Sequence, residues 1–234
     1  MIPAGATHRA ERTHARGDAR EGGWTGRFYA CRIVLVAFWM LWGWMCAALG
    51  SLMFVPQVVR LLRSHNPAGL SLLMWQLNTA AAVGWTLHGA HWGSWNVALP
   101  NAIIAVCAAL VVHMIQTSAS PPVRSVWAPV IIVASALVAI EFLTTPELYG
   151  LAVLIPQAFG MLSQSRDLVR SRDLGGLSPL TIALSAGIQY LWLAWAIGTG
   201  DPSVVICASV LGVMGAFNVI WFALRTRGHV RALA

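Results

Sequence analysis

The stretch Val55-Pro56-Gln57 lies inside a long apolar run and returns 100 residues later as Ile155-Pro156-Gln157. A basic segment follows each pair and leads into Gly69-Leu70-Ser71 and Gly176-Leu177-Ser178, which are 107 residues apart. At that offset three further positions are identical: Trp85 and Trp192, Gly93 and Gly200, Val97 and Val204. An ordered series of matches with a single gap indicates an internal duplication. The sequence therefore predicts two copies of one unit, with the second connecting segment seven residues longer than the first.

The composition places most of the chain in lipid. Apolar residues make up 58% of the 234 residues and charged residues only 10%, whereas about a quarter of a soluble domain is charged. The net charge of +7 comes entirely from arginine, and the arginines sit at the ends of apolar runs. Such positions are typical of topology signals rather than of a phosphate-binding face. The lipid bilayer is therefore an expected partner, and nucleic acid is not.

Seven apolar runs are long enough to cross a bilayer, which takes about 20 residues per helix. They cover residues 40–62, 70–90, 95–116, 125–143, 148–168, 177–199 and 203–224. Because the two Pro-Gln pairs lie four spans apart, an even number, both copies point the same way across the membrane. We therefore predict an all-α polytopic membrane protein of seven transmembrane helices, arranged as two parallel three-helix bundles joined by a linker helix (3+1+3).

The same pattern divides the chain into five segments. They are an Arg-rich tail at 1–32, a first three-helix unit at 33–116, a linker with the fourth helix at 117–146, a second three-helix unit at 147–225 and a C-terminal tail at 226–234. No fold is assigned to the first segment, and translation starting at Met40 would leave residues 1–39 outside the real protein.

The arginines outside that tail favour one orientation. With seven spans, the loops after spans 1, 3 and 5 share a side with the C-terminus. That side holds Arg60, Arg63, Arg124, Arg166, Arg170, Arg172, Arg225, Arg227 and Arg231, and the opposite loops hold no basic residue. By the positive-inside rule the arginine-rich side is cytoplasmic, so the N-terminus is outside. The six arginines of the tail run against this rule, and we weigh the consistent short loops more heavily.

A membrane helix that ends in Pro-Gln, a short basic loop and Gly-Leu-Ser, doubled around one linking helix, resembles the PQ-loop superfamily. That group includes the SWEET and SemiSWEET sugar transporters and the cystinosin-related amino-acid exporters, and SWEETs are built from parallel repeats. The resemblance covers residues 40–224. It implies facilitated, uniport-like, alternating-access transport of a small neutral solute, such as a sugar, across the inner (plasma) membrane. The topology usual in the superfamily agrees with the arginine count.

The Pro-Gln pairs are candidate hinges in helices 1 and 5. Pro56 and Pro156 each remove a helical hydrogen bond and bend the helix. Gln57 and Gln157 are expected to bond the carbonyl that each proline leaves free, since a carbonyl in lipid needs a partner. The alternative is a static kink.

Five residues are candidates for a solute site. In SemiSWEET-like units a Trp late in the second helix and an Asn on the third line the sugar pocket, which implies this role for Trp85, Asn101 and Trp192. An aromatic face against a sugar ring and an amide that reads hydroxyls suit a neutral polyol. The second copy has no amide at the position equivalent to Asn101, and Ser209 is the polar residue beside it. Gln189, within the sixth span, completes the set; packing or an aromatic belt is the alternative role for the two tryptophans.

Two other functions remain open. A proton-coupled amino-acid exporter of the cystinosin type needs a titratable group in the membrane. Its candidates are His88 and His113, because the acidic residues fall near the ends of the predicted spans or outside them. A ligand-binding or sorting receptor on the same scaffold is the alternative outside transport. The remaining polar residues of the spans, Gln76, Asn78 and Asn218, are expected to bond between helices.

No catalytic set is present in the sequence. There is no Ser-His-Asp or Cys-His arrangement, no phosphate-binding loop and no paired carboxylates. His88 and His91 are three residues apart but lack a third ligand for a metal, and the four cysteines show no paired spacing. We therefore predict that the protein is not an enzyme and has no metal or other cofactor. A homo-oligomer remains possible.

Overall fold

The computed structural model of the protein describes residues 31–52, 55–64, 71–119, 122–170, 179–228 and 230. These residues are helical apart from short turns, and no strand occurs among them. In chain order the helices are α1 (Cys31–Leu52), α2 (Val55–Ser64), α3 (Leu72–His91), α4 (Trp95–Ala119), α5 (Val123–Leu143), α6 (Pro146–Arg170), α7 (Pro179–Thr199) and α8 (Pro202–Thr226).

The chain divides into two compact units. The first ends at Leu41, and its described part is the beginning of α1. The second begins at Trp42 and contains every contact described below.

The local sequence determines where the helices begin. The Ser71 hydroxyl accepts a hydrogen bond from the Met74 amide at 3.3 Å, and the Asp201 carboxylate accepts one from the Val204 amide at 3.1 Å. A side-chain oxygen at this position satisfies an amide that has no partner within the first turn. Helices α6, α7 and α8 begin with proline, which is favoured there because the first amides of a helix have no intrahelical acceptor.

Five helices are long and apolar enough to cross a membrane. They are α1, α4, α5, α7 and α8, matched over Cys31–Leu52, Trp95–Ser118, Val123–Leu143, Ile182–Thr199 and Pro202–Thr226. This set of helices is that of a polytopic, membrane-embedded protein. The expectation of membrane helices is therefore confirmed at this level.

The other two long helices, α3 and α6, have 20 and 25 residues but a more polar composition. In α3 the polar side chains of Gln76, Thr79 and His88 are buried. The Gln76 amide donates to the Val126 carbonyl of α5 at 2.6 Å, as expected for a residue that bonds between helices. Because their polar groups find protein partners, these helices do not need the apolar composition of a lipid-facing span.

The N-terminal helix differs from the predicted first span at 40–62. It begins at Cys31 and ends at Leu52, and a separate helix, α2, covers Val55–Ser64. A helix of 22 residues is about 33 Å long, enough to cross the bilayer without the following segment. The predicted tail at 1–32 is corrected at its end, where Cys31 and Arg32 are helical, and the rest of that tail lies outside the described residues. Pro56 is the second residue of α2, where a proline costs no hydrogen bond.

Two helices each pack against two others. Helix α4 contacts α2 and α3, and α8 contacts α6 and α7, while α3 also packs on α5 and α6. Small residues permit the closest approaches. A Cβ atom at Gly150 would lie 2.8 Å from the Ser203 backbone, and one at Gly215 would lie 2.9 Å from the Cα atom of Ala186. Small residues at helix interfaces let the backbones approach in this way.

Candidate solute site

A cavity of about 380 Å³ lies between helices α1, α3 and α4 and helices α6, α7 and α8. Its volume falls within the range of pockets for small molecules. The described residues that line it are mostly Ala, Val, Ile, Leu, Met and Trp, with a few amides and hydroxyls and no formally charged side chain. An unpaired charge would be costly to bury against such walls, so the cavity suits an uncharged solute.

Four of the five predicted solute-site residues line this cavity. They are Trp85, Asn101, Gln189 and Trp192. Ser209 does not line it, although the neighbouring Ala208 does, because consecutive residues of a helix are turned about 100° from each other. The predicted hinge residue Gln157 also lines the cavity, and Pro156 is buried in the middle of α6. The side chains of Pro56 and Gln57 lie outside the described part of the structure.

The lining residues come in pairs separated by a constant 107 positions. Nine such pairs line the cavity: Gly50 and Gln157, Asn78 and Ser185, Ala81 and Ile188, Ala82 and Gln189, Trp85 and Trp192, Val97 and Val204, Pro100 and Cys207, Asn101 and Ala208, and Ile104 and Leu211. The turns after α3 and α7 agree with this offset, since Gly93 and Gly200 have positive φ angles of 67° and 78°. Glycine adopts that conformation without steric cost.

The constant offset corrects the pairing of the two Pro-Gln motifs. It extends to the first helix of each copy, because a Cβ atom at Gly43 would collide with Asn96 and one at Gly150 with Ser203, and both members of the first contact lie 107 residues before those of the second. Pro156-Gln157 therefore corresponds to Leu49-Gly50 rather than to Pro56-Gln57. The seven-residue gap inferred from the sequence disappears, and the two motifs lie about two helical turns apart in register.

Two amides of the cavity wall make equivalent contacts. The Asn101 amide nitrogen donates to the Val97 carbonyl at 2.9 Å, and the Gln157 amide nitrogen lies 3.4 Å from the Val153 carbonyl and 3.5 Å from Cys207 Sγ. Each amide follows a proline and donates to the carbonyl four residues before itself. Gln157 thus does not serve the carbonyl that the proline leaves free, contrary to the expectation from the sequence. Both amide oxygens remain as acceptors toward a solute.

Several lining residues were not identified from the sequence. Asn78 was expected to bond between helices, and Cys46, Ser185 and Cys207 were not singled out, yet all four line the cavity. A signal was present. On α3 the lining positions 78, 81, 82 and 85 have the i, i+3, i+4, i+7 spacing of one helix face, and the same spacing continues on α4 from position 97 to position 104.

A buried ionic cluster adjoins the cavity. It consists of His88 and His91 of α3, Glu141 of α5 and Asp201 before α8. His88 Nδ1 is 2.8 Å from Glu141 Oε2, His88 Nε2 is 3.3 Å from Asp201 Oδ2, and His91 Nδ1 is 2.7 Å from Glu141 Oε1. The sequence placed Glu141 near the end of a span but gave no sign that its side chain is only 2% exposed. His113, the other titratable candidate, is exposed.

Trp85 connects this cluster with the cavity. Its ring centroid lies 5.3 Å from that of His88 and 5.6 Å from that of Tyr149, in both cases edge to face. Tyr149 of α6 stacks on His88 with the centroids 4.8 Å apart. One aromatic side chain thus belongs both to the cavity wall and to the surroundings of the cluster.

No family model matches the chain, and no curated protein matches it significantly.

Proposed function

We propose that the protein is a membrane transporter that moves a small neutral solute by facilitated, alternating-access transport. In this proposal α1 with α2, α3 and α4 form one three-helix unit, α6 to α8 form a second unit in parallel orientation, and α5 joins them in a 3+1+3 arrangement. The PQ-loop resemblance supports the same assignment. The arginine distribution supports a place in the inner (plasma) membrane with the C-terminus in the cytoplasm.

The observation that carries the proposal is the pairing of the cavity walls. Nine pairs at one offset line a single cavity, so equivalent faces of both copies point toward the same space. Duplicated transporters bind their substrates at the interface between the repeats. A duplicated receptor has no comparable need for a cavity shared equally by its two halves.

The chemistry of the walls favours a neutral solute with hydroxyl or N–H donors. Trp85 and Trp192 offer aromatic surfaces, and the oxygens of Asn101 and Gln157 act as acceptors. Sugars have this combination of apolar ring faces and hydroxyl donors. A zwitterionic amino acid would bring two charges to walls in which the described residues offer no opposite charge, so the cystinosin-type alternative is less well supported.

Prolines within the lining helices supply places where the helices can bend. Pro156 interrupts α6 beside Gln157, and Pro100 interrupts α4 beside Asn101. Each removes one hydrogen bond from the helix. Bending at these positions would widen one end of the cavity while the other end narrows, as alternating access requires.

Uptake into proteoliposomes tests the proposal. We expect saturable uptake of at least one neutral solute from a panel of radiolabelled monosaccharides, polyols and neutral amino acids, with no ion or pH gradient applied. Uptake that requires a pH gradient would favour the proton-coupled alternative. Saturable binding without any flux would favour a receptor. Either result would contradict facilitated transport.

A further inference from the structure

The ionic cluster joins three parts of the fold that are separate in sequence. His88 and His91 belong to α3 of the first copy, Glu141 belongs to the linker helix α5, and Asp201 begins α8 of the second copy. Asp201 uses one carboxylate oxygen to cap α8 through the Val204 amide and turns the other toward His88. The linker and both copies are thus held together at one end of the bundle.

The hydrogen bonds of the cluster depend on its protonation state. His88 faces a carboxylate oxygen from each ring nitrogen, and only the doubly protonated imidazole donates from both. Glu141 accepts from His88 through one oxygen and from His91 and the Trp92 indole through the other, the last at 3.0 Å. The carboxylate must be ionised to accept from all three. A proton added to Glu141 removes its charge and turns one of its oxygens into a donor.

The groups that surround His88 leave this dependence intact. Helix α3 contributes His91, α5 contributes Glu141, α6 contributes Tyr149, and Asp201 faces it from the turn before α8. Among the described residues packed around His88, no further carboxylate or arginine contacts this set. With both histidines protonated and both acids ionised, two positive charges balance two negative ones. Charges buried in this way are stable only when they are paired.

We propose that this cluster is an acid-released ionic lock, which holds the adjoining end of the bundle closed while Glu141 and Asp201 are ionised and opens it when they are protonated. The inference rests on the proposed function, since it assigns the lock to one end of the solute cavity. Trp85 provides the connection, because it touches His88 and Tyr149 and also lines the cavity. Separation of α3 from the start of α8 removes the support from that part of the wall.

Distances between spin labels at this end of the bundle test the lock without a solute. Trp95 opens α4 and Ile197 lies near the end of α7; their side chains are 57% and 67% exposed, so labelled cysteines at both positions fit. The variant carries no other cysteine. In it, we expect acidification from about pH 7.5 to about pH 4.5, which spans the usual titration of imidazole and carboxyl groups, to increase the population with the longer distance.

Three variants assign the effect to the cluster. Glu141→Gln is expected to raise the ratio of long to short distances by roughly tenfold near neutral pH, since it removes hydrogen bonds to a charged group, and to abolish the pH response. Asp201→Asn is expected to act in the same direction while α8 remains capped, because Asn caps helices as well as Asp. Glu147→Gln is the matched control, an exposed acid at the start of α6, and it retains the wild-type response.

The proposal is overturned if the distances do not respond to pH, or if the response survives in both Glu141→Gln and Asp201→Asn. Thermal unfolding of each variant shows whether it is folded, and Asp201→Asn keeps the test decisive if Glu141→Gln is not. Failure of the lock leaves solute uptake unaffected. Failure of the proposed function would instead appear as absent uptake with the pH-dependent distances intact.

Discussion

Replacing Trp85 with Ala is expected to lower the rate of solute flux by roughly tenfold or more. The indole forms part of the cavity wall on α3, and contacts with an aromatic ring contribute about 1 kcal/mol beyond the area they bury. Truncation also removes the edge-to-face contacts with His88 and Tyr149. Initial rates of uptake into proteoliposomes, at matched protein content, measure the effect.

Comparison with other tryptophans separates a solute contact from a loss of packing. Trp192→Ala, at the equivalent position on α7, is expected to lower flux similarly, and Trp85→Phe is expected to retain much of it because a ring remains. Trp95→Ala serves as the control, since this tryptophan lies on α4 with its side chain 57% exposed and away from the cavity walls. If Trp85→Ala and Trp95→Ala have the same effect, Trp85 has no specific role in the site.

Moving the amide of Asn101 to the equivalent position of the other copy is expected to preserve part of the transport activity. Asn101→Ala alone should lower flux by roughly tenfold, because a solute hydroxyl loses its acceptor within an apolar wall. The second change, Ala208→Asn, places an amide 107 residues further on, where the structure has the equivalent lining position. Flux of the double variant is expected to exceed that of Asn101→Ala.

The control for this transfer uses the next residue of α8. Ser209→Asn combined with Asn101→Ala adds the same amide outside the cavity wall and should leave flux at the level of the single variant. Equal recovery with both second changes would mean that the position of the amide does not matter. That result would contradict a site with equivalent walls from both copies.

The repeat was visible in the sequence, but its register was not. The Gly-Leu-Ser segments and the two tryptophans already gave the offset of 107, whereas the two Pro-Gln pairs suggested 100. A motif of two residues is short enough to occur twice by chance. Packing decides the matter, because Gly43 and Gly150 meet α4 and α8 at equivalent positions. Such contacts depend on helix geometry, to which a search for identical residues is insensitive.

Much of the solute site was predictable, because a helix face has a fixed spacing. Trp85 and Asn101 were identified from the resemblance, and the other lining residues of α3 and α4 follow from them by steps of three and four. The ionic cluster was not predictable. Glu141 lies near the end of α5, a position where acidic residues are usually solvated, and only the packing of α3 against α5 and α6 shows that it is buried.

The most direct test of the central claim uses Cys207 as the only cysteine, with Cys31, Cys46 and Cys107 replaced by serine. Cys207 lines the cavity beside Gln157. The measurement is its rate of modification by a bulky thiol reagent, with and without a saturating concentration of the transported solute, followed by the flux of the modified protein. We expect the solute to slow the modification and the modified protein to lose its flux. Modification at an unchanged rate, with flux intact afterwards, would contradict the claim that solute passes through this cavity.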